Sequence, residues 1–269
     1  MTVPTVSFPP VRRLGPDDLK RCVALSVDRG WSPEQSKWSL LLAASEVFGV
    51  DAPDGRGLAG AVVLTRWAAD YAAVGMMLVA ARYGRRGLGR ALMEHVLHAA
   101  GEDATVTLFA TDMGRPLYEK LGFAAVRRNV SFVGRFRPSR AASSAGSPGS
   151  VRPAADADLP AILALDRAAF GADRGQLLTR LPALADQVAV FCAGGDPAGT
   201  GIAGYGAAWR VAPALTVIGP LVAPDGEAAK RLVEALAAGA RTPVRLDLDP
   251  DREELPGWAH ARGDRKSVV

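Results

Sequence analysis

Cysteine is scarce in this chain: its 269 residues include two, Cys22 and Cys192. They lie far apart without the spacing of metal ligands, so the sequence predicts neither a disulfide framework nor a metal site. We expect both to be small buried hydrophobic side chains. Long apolar runs are also missing, since none approaches the roughly 18 to 20 residues of a membrane span, and the first residues lack the order of a signal peptide. We therefore expect a cytoplasmic protein without a membrane partner.

The composition is that of a folded globular protein. Apolar residues make up 49% of the chain and charged residues 22%, which argues against disorder. The charge is uneven, because residues 1–140 hold 19 Lys and Arg against 13 Asp and Glu, whereas residues 141–269 hold 13 against 15. The arginines of the basic half are scattered except at residues 82–90 and 127–137. We therefore expect a local anionic ligand and no nucleic-acid partner.

The chain contains one α/β unit twice. The length suggests about two domains, and the Ser, Ala, Gly and Pro-rich stretch RPSRAASSAGSPGSVRP, residues 137–153, reads as a linker. The segments VRRLGPDDLKRCVALSVDRGW from residue 11 and VRPAADADLPAILALDRAAF from residue 151 share a short strand, an acidic helix start and an apolar-periodic helix. We expect a first domain over residues 1–137, a linker over 138–150 and a second domain over 151–269, each with a mixed sheet in an α/β (α+β) fold.

Periodicity places the other elements of the first domain. Alternating and continuous apolar runs predict strands, and apolar residues at helical spacing predict helices. The predicted elements are helices over residues 16–29, 32–45, 87–100 and 115–121 and strands over 46–50, 58–67, 71–79, 105–110 and 123–136. Trp31 and Trp38, seven residues apart, are expected on one helix face as core or cleft lining.

The stretch VAARYGRRGLGRALMEHV, residues 79–96, predicts an anion site at a strand-to-helix junction. A helix start exposes unpaired N–H groups with partial positive charge. Gly87 and Gly89 remove the side chains that would block an approaching phosphate, and Arg85, Arg86 and Arg90 add charged donors. The spacing fits neither a Walker loop nor the GxGxxG dinucleotide fingerprint. The stretch is therefore interpreted as another kind of diphosphate cradle.

The cradle resembles motif A of the GCN5-related N-acetyltransferase (GNAT) family, which reads Arg or Gln, two residues, Gly, one residue, then Gly or Ala. Here Gly87, Leu88 and Gly89 complete the pattern, whereas Gly84 stands where the family has Arg or Gln. The stretch ATDMGRPLYEKLGFAAV, residues 110–126, is similar to the family's motif B. Thr111 stands where many members have an Asn that bonds the cofactor.

The resemblance implies an acetyl-CoA-dependent N-acetyltransferase. It implies that the diphosphate lies on the cradle, that backbone groups of Leu78 and Val79 hold the pantetheine arm, and that Tyr118 protonates the leaving thiolate. A phenol is protonated at neutral pH and suits that task. A plain core tyrosine is the alternative for Tyr118. Glu46 and Asp70 are open candidates for the base, and His95 is expected to pack.

The second domain is expected to have the fold without the donor. Asp225 and Glu227 at its equivalent helix start would repel a diphosphate, and its last residues contain no tyrosine and leave no room for final strands. It resembles the C-terminal domain of tandem members similar to the YitH and holothin acyltransferase group, which implies a degenerate, abbreviated domain that helps shape the acceptor pocket. Candidates for lining that pocket are Arg174, Tyr205, Trp209 and Arg210.

These observations predict acetyl transfer from acetyl-CoA to a small-molecule amine by the first domain alone, in a monomer or homodimer that needs no metal. A noncatalytic acyl-CoA sensor is the alternative, since Gly84 and Thr111 depart from the family pattern. A nucleic-acid-binding function is the third interpretation.

Overall fold

The computed structural model describes residues 7–136, 149–194, 201–211, 215–251, 254–261 and 263–266. The chain divides into two compact units, Met1–Phe123 and Ala124–Val269. Within the described ranges, no helix is long and apolar enough to cross a membrane. Each unit is a mixed sheet with helices packed on it, as the sequence predicts.

The first unit is built on a five-stranded sheet of order β1-β2-β3-β4-β5, in which only the β4–β5 pair is parallel. Its elements are β1 Arg12–Arg13, α1 Leu19–Asp28, α2 Gln35–Ala44, β2 Glu46–Asp51, β3 Leu58–Arg66, β4 Tyr71–Val79, α3 Leu88–Ala100, β5 Thr105–Leu108 and α4 Arg115–Lys120. These bounds agree closely with the predicted elements. A short 3₁₀ turn, Pro16–Asp18, precedes α1 and accounts for the start of the helix expected from residue 16.

Helix α3 lies close against the sheet because its apolar positions recur at helical spacing. Leu88, Leu92 and Val96 are buried, as an amphipathic helix on a sheet requires. Gly60 of β3 permits the close approach, since a Cβ there would lie 2.8 Å from Leu92 Cδ1 and 3.0 Å from the Leu78 carbonyl oxygen. Gly204 plays the equivalent part in the second unit, where a Cβ would meet the Val222 carbonyl at 2.7 Å.

The second unit has a seven-stranded sheet of order β12-β6-β11-β10-β9-β8-β7, again with one parallel pair, β10–β11. Its elements are β6 Val130–Gly134, β7 Ser150–Pro153, α5 Leu159–Phe170, α6 Gly175–Leu178, α7 Leu181–Leu184, β8 Gln187–Cys192, β9 Ile202–Val211, β10 Leu215–Val222, α8 Gly226–Ala238, β11 Val244–Leu248, α9 Glu254–His260 and β12 Gly263–Lys266.

The predicted repeat is confirmed by a shared ion pair at the start of each unit. Arg12 binds Asp18 at 2.8 Å and Arg152 binds Asp158 at 2.7 Å. Each aspartate also accepts a hydrogen bond from a main-chain N–H three residues earlier, that of Gly15 or Ala155. The carboxylate therefore joins the first strand to the start of the first helix in both units.

The division between the units differs from the predicted boundary at residue 137. Strand β6 lies between β11 and β12, where Val130 pairs with Leu248 and Gly134 with both Val244 and Gly263. The compact first unit therefore ends at Phe123, and the strand expected over residues 123–136 is confined to Val130–Gly134. The expected lack of final strands in the second unit is wrong, because β6 and β12 supply them.

The linker expected over residues 138–150 lies outside the described residues except for Gly149 and Ser150. Ser150 begins β7, so the strand expected from residue 151 starts one residue earlier, within the unit that begins at Ala124.

Candidate functional site

The first sheet opens where β4 runs beyond β5. Residues 71–74 of β4 pair with residues 105–108, and β5 then ends, whereas β4 continues to Val79. In the same stretch β4 carries one extra residue relative to β3, between the pairs Val63 with Gly75 and Ala61 with Leu78. Met76 lies in this bulge with a φ of 48°, a conformation that is rare for a side chain of its size. The bulge and the end of β5 create a cleft beside residues 75–79.

The two main-chain positions predicted to hold pantetheine differ in orientation. The Ala80 N–H donates to the Ala59 carbonyl at 2.8 Å, and main-chain groups alternate between the two edges of an antiparallel strand. Leu78 therefore directs its N–H and C=O at β3, and Val79 directs its own at the cleft. Val79 is the better placed of the two, and Leu78 contributes a buried side chain.

Helix α3 begins with free main-chain donors beside that cleft. Its first described intrahelical bond runs from the Ala91 N–H to the Gly87 carbonyl at 3.0 Å. The N–H groups of Leu88, Gly89 and Arg90 precede that bond and emerge at the helix end. Gly87 is the N-cap, with a φ of 79° and no side chain to occupy the donors. Such a helix end is suited to an anion.

The three arginines of the predicted cradle are not equivalent. Arg85 and Arg86 are exposed, and in the described parts of the chain neither forms a salt bridge. Arg90 instead binds Glu94 one turn later in α3 at 2.7 Å. Arg85 also has a positive φ of 59°. The two free guanidinium groups are therefore Arg85 and Arg86, whereas Arg90 offers its main-chain N–H.

Gly89 marks the point where the two predicted motifs meet. A Cβ at this position would lie 3.0 Å from Met77 Cε, 3.5 Å from Leu117 Cδ2 and 3.7 Å from Val79 Cγ2. These atoms belong to β4 and α4, while Gly89 belongs to α3. The absence of a side chain thus allows three elements to converge, and it joins the cradle to the helix that carries Tyr118.

Tyr118 is half-buried on α4. Its ring packs edge-on against Phe123 with centroids 6.1 Å apart, and its carbonyl accepts the N–H groups of Leu121 and Phe123 at 3.0 Å each. Burial raises the pKa of the Tyr118 phenol above its usual value. The hydroxyl makes no hydrogen bond with any described residue. The ring therefore packs against the core, and its hydroxyl is not engaged by any residue that the structure describes.

Thr111 serves the turn that leads into α4. Its carbonyl accepts the N–H groups of Gly114 and Arg115 at 2.9 Å each, and its hydroxyl accepts that of Gly114 at 3.3 Å. The side chain predicted to contact a cofactor is thus already engaged in local structure.

Neither candidate base lies beside the cleft. Glu46 accepts a 2.7 Å hydrogen bond from Arg66, whose guanidinium also donates to the Ala100 carbonyl at the far end of α3. Asp70 lies in the turn between β3 and β4, and its carbonyl accepts the N–H of Thr105 at the start of β5. Asp70 sits at the sheet end opposite the α3 N-terminus, whereas Glu46 is level with Leu64 and Val74 and lies two strands away from β4. His95 packs edge-on against Phe48 at 4.8 Å, as expected.

The second unit repeats the separation of two parallel strands beside a bulge, but its following helix does not begin with free main-chain donors. A register shift lies between Ile218 and Leu221 of β10, and β10 pairs with β11 only over residues 216–218. Helix α8, however, is capped by Asp225, whose Oδ1 accepts the Ala228 N–H at 2.7 Å. A carboxylate therefore occupies the position that an anion would need.

The expected acceptor-lining residues of the second unit are mostly committed elsewhere. Tyr205 is fully buried and donates to the buried Asp166, which Arg174 binds at 2.5 and 3.0 Å. Burial and this hydrogen bond raise the pKa of Tyr205. The main-chain N–H of Arg210 donates to Asp186 at 2.7 Å. Trp209 is half-buried on β9. The expectation that Tyr205 lines a pocket is wrong because its side chain is fully buried, whereas Arg174 is partly exposed and its guanidinium is held by Asp166.

The cysteines are buried, as predicted. Burial raises the pKa of the Cys22 thiol to about 12, so it is an inert core group. Among the described residues there is no group of three or more His, Cys, Asp or Glu side chains that could hold a metal.

Sequence reasoning missed the turn that follows α1. The Ala81 N–H donates to Asp28 Oδ2 at 2.6 Å, and Arg29 Nη2 lies 4.0 Å from Met113 Sδ. Trp31 was expected on a helix with Trp38, but it precedes α2 and is exposed, whereas Trp38 is buried. The one local signal is Gly30, a helix-ending glycine with a φ of 72°.

Two family models match the chain, and both are described as an acetyltransferase (GNAT) domain. They match residues 36–135 and 162–267. The first match includes β6, which lies in the second sheet. A relative from Bacillus subtilis (strain 168), the uncharacterized N-acetyltransferase YitH, is 30% identical over 185 residues, or 68% of this chain. The chain spans 62% of the length of that relative.

Solved structures with the same fold include two that extend over nearly the whole chain. A proposed acetyltransferase from Pyrococcus horikoshii has a TM-score of 0.75 at 21% identity and covers 100% of this chain and 90% of its own. A tandem GNAT protein from the clavulanic acid biosynthesis pathway has a TM-score of 0.70 at 17% identity and covers 96% of both chains. The two-unit architecture is therefore one that solved structures share.

Proposed function

The chain belongs to the GNAT acetyltransferase family as a tandem-domain member, and from this premise we propose that its first unit alone transfers an acetyl group from acetyl-CoA to an amine. The observation that carries the proposal is the contrast between the two helix starts. In α3 the donors at Leu88, Gly89 and Arg90 are uncovered beside the open edge of β4, whereas in α8 the Asp225 carboxylate covers the equivalent donors.

The residues of the first unit fit the diphosphate and pantetheine of acetyl-CoA. The α3 N-terminus offers N–H groups and a partial positive charge, and Gly87 leaves the approach clear. Arg85 and Arg86 supply unpaired charge nearby, and a guanidinium can bind phosphate oxygens in a bidentate way. Val79 directs an N–H and a C=O at the cleft, which matches the amide groups of pantetheine. Thr111 and Leu78 act through the turn and the core that shape the site.

The reaction we propose is direct transfer. The nitrogen of a neutral amine attacks the acetyl carbonyl, a C–N bond forms, and the C–S bond breaks. The Tyr118 phenol gives its proton to the leaving sulfur, the proton of the amine passes to solvent water, and solvent returns a proton to the Tyr118 phenolate. The raised pKa of Tyr118 keeps the phenol protonated at neutral pH. Such a general acid contributes about 10²- to 10⁴-fold, and holding the amine and thioester together can contribute about 7 kcal/mol in well-oriented cases.

The acceptor we propose is a small-molecule amine. We propose that the second unit has a structural role and binds no acetyl-CoA of its own. A noncatalytic acyl-CoA sensor is the second candidate. It is favoured by Gly84 at a position where the family has Arg or Gln and by the Thr111 hydroxyl, which is engaged with Gly114. A sensor needs the cradle but has no use for a phenol beside the thiolate.

Calorimetric titration of the full chain with coenzyme A, together with a thiol-release assay on acetyl-CoA and a panel of amines, tests the proposal. We expect one bound donor per chain and thiol release that depends on an added amine. Failure of coenzyme A to bind would overturn the donor site. Binding without amine-dependent release by any member of the panel would favour the sensor.

A further inference from the structure

The turn after α1 touches both walls of the cleft in the first unit. Asp28 binds the main-chain N–H of Ala81, which follows β4, at 2.6 Å. The next residue, Arg29, places Nη2 4.0 Å from Sδ of Met113, which follows β5. Strands β4 and β5 are the two that separate at the cleft. The consecutive residues Asp28 and Arg29 therefore contact the segment after β4 and the segment after β5, respectively. The turn therefore lies across the mouth of the cleft.

This turn is held in one conformation. The Arg29 N–H donates to the carbonyls of Leu25 and Ser26, and the Trp31 N–H also donates to that of Ser26 at 2.9 Å. The Ser26 hydroxyl in turn accepts the indole N–H of the buried Trp38 at 2.8 Å. A surface fixed before a ligand arrives loses little conformational entropy on binding.

The same region concentrates exposed apolar side chains. Four of the five large hydrophobic residues that are exposed in the described ranges lie in the last turn of α1, just after the turn that follows it, or in the segment between β5 and α4. They are Val27, Trp31, Phe109 and Met113, and the last two are 82% and 81% exposed. We call these four residues together with Arg29 the acceptor rim. Exposed apolar side chains gathered in this way mark a binding surface.

Arg29 gives the rim one positively charged side chain, next in sequence to the negatively charged Asp28. It is half-buried, and among the described residues it forms no salt bridge. The neighbouring Asp28 carboxylate is engaged by the Ala81 N–H. A planar guanidinium matches a carboxylate in a bidentate way. A single cation balances the charge of one carboxylate, whereas the cradle offers two arginines and a helix end.

We propose that the acceptor is an amine that also carries a carboxylate beside an apolar group, as an apolar amino acid does, and that Arg29 binds this carboxylate while Trp31 and Met113 contact the apolar group. The inference rests on the proposed function and names the acceptor of the same site. Arg29 is a specificity-determining residue for the acceptor and takes no part in donor binding.

A pair of probes that differ only in the carboxylate tests the proposal. N-acetyl-L-phenylalanine and N-acetylphenethylamine share an apolar ring and an amide, and each is titrated calorimetrically into the full chain with coenzyme A in excess. We expect the carboxylate probe to bind at least tenfold more tightly. Arg29→Gln removes this preference, Arg29→Lys retains part of it because charge remains, and Lys20→Gln, which removes a cation from the other end of α1, leaves it intact.

Equal affinity of wild type for the two probes, or undetectable binding of both, overturns the proposal. An Arg29→Gln variant that keeps the preference overturns it as well. If Arg29→Gln loses affinity for coenzyme A when coenzyme A alone is titrated into the full chain, Arg29 belongs to the donor site. That result also contradicts the proposal. The proposed function is tested by different outcomes. It is contradicted if wild type does not bind coenzyme A, and it is supported if acetyl is transferred to amines whether or not they carry a carboxylate.

Discussion

Asp225 Oδ1 accepts a hydrogen bond of 2.7 Å from the N–H of Ala228 at the start of α8. Its counterpart at the start of α3 is Gly87, which has no side chain. The two units share the strand bulge, the end of pairing beside it and the helix that follows, so the cap is a local difference on a common frame. An anion at α8 would have to displace a carboxylate and also meet Glu227, which lies in the first turn. This relationship separates a helix start that is open to an anion from one that a carboxylate already caps.

A carboxylate placed at the start of α3 should therefore remove donor binding. Aspartate tolerates the left-handed conformation of Gly87 better than most residues, so Gly87→Asp can act as a cap without unfolding the helix. We expect coenzyme A affinity to fall at least tenfold in calorimetry. Gly87→Asn introduces the same shape without charge and should lose less. Gly55→Asp, at an exposed turn glycine with a φ of 72°, should bind as wild type does. Unchanged affinity of Gly87→Asp would show that the diphosphate lies elsewhere.

Removal of the Tyr118 hydroxyl should separate turnover from donor binding. Tyr118→Phe keeps the ring that packs on Phe123 but loses the proton for the leaving thiolate. We expect turnover to fall at least tenfold, within the usual range for a general acid, with coenzyme A affinity nearly unchanged. Because burial raises the pKa of Tyr118, wild type should keep this proton at pH 8 and 9. Tyr71→Phe, at the other end of β4, is the control. Equal loss of binding and turnover, or no loss of either, would remove Tyr118 from the reaction.

Local patterns predict the cradle and the repeat, since both depend on neighbours in sequence. The glycines and arginines of residues 84–90 define a helix start wherever the helix lies, and the Arg12–Asp18 and Arg152–Asp158 pairs follow from a shared six-residue spacing. Residues 71–79 likewise read as a strand from composition alone. These features need no knowledge of the tertiary fold.

Features that depend on distant partners could not be predicted in this way. Strand β6 has the composition of a strand, but its place between β11 and β12 follows from pairing with residues more than a hundred positions later. Glu46 and Asp70 are plausible bases from sequence because they flank strands, but the sheet places Asp70 at the end opposite the α3 N-terminus and Glu46 two strands away from β4, where Arg66 binds it. The contact between Arg29 and Met113 joins residues 84 positions apart, and no periodicity of the sequence predicts it.

Acid should weaken the first unit through Asp18. Hydrogen bonds from Arg12 lower the pKa of Asp18 to about 2, below its ordinary value near 4. A carboxylate with a lowered pKa stabilises the fold above its unfolded-state pKa and loses that contribution as pH falls through the folded-state pKa. We expect Asp18→Asn to cost about 2 kcal/mol at pH 7 and to flatten the decline between about pH 5 and pH 2 in denaturant titrations followed by Trp fluorescence. Asp17→Asn, at the exposed neighbour, should behave as wild type; a parallel decline in all three proteins would contradict the assignment.

The buried cluster of the second unit should respond to truncation as one coupled group. Asp166 is fully buried and accepts hydrogen bonds from both Arg174 and Tyr205, so Asp166→Ala leaves a largely buried guanidinium without its counter-charge. We expect a loss of about 3 kcal/mol or more in the free energy of unfolding, and about 2 kcal/mol for Tyr205→Phe, which removes one hydrogen bond to a charged acceptor. The exposed Asp156→Ala should change stability by less than about 0.5 kcal/mol. Because Tyr205 acts through Asp166, the double variant should lose less than the two single variants combined. Strict additivity would show that each side chain contributes by packing alone.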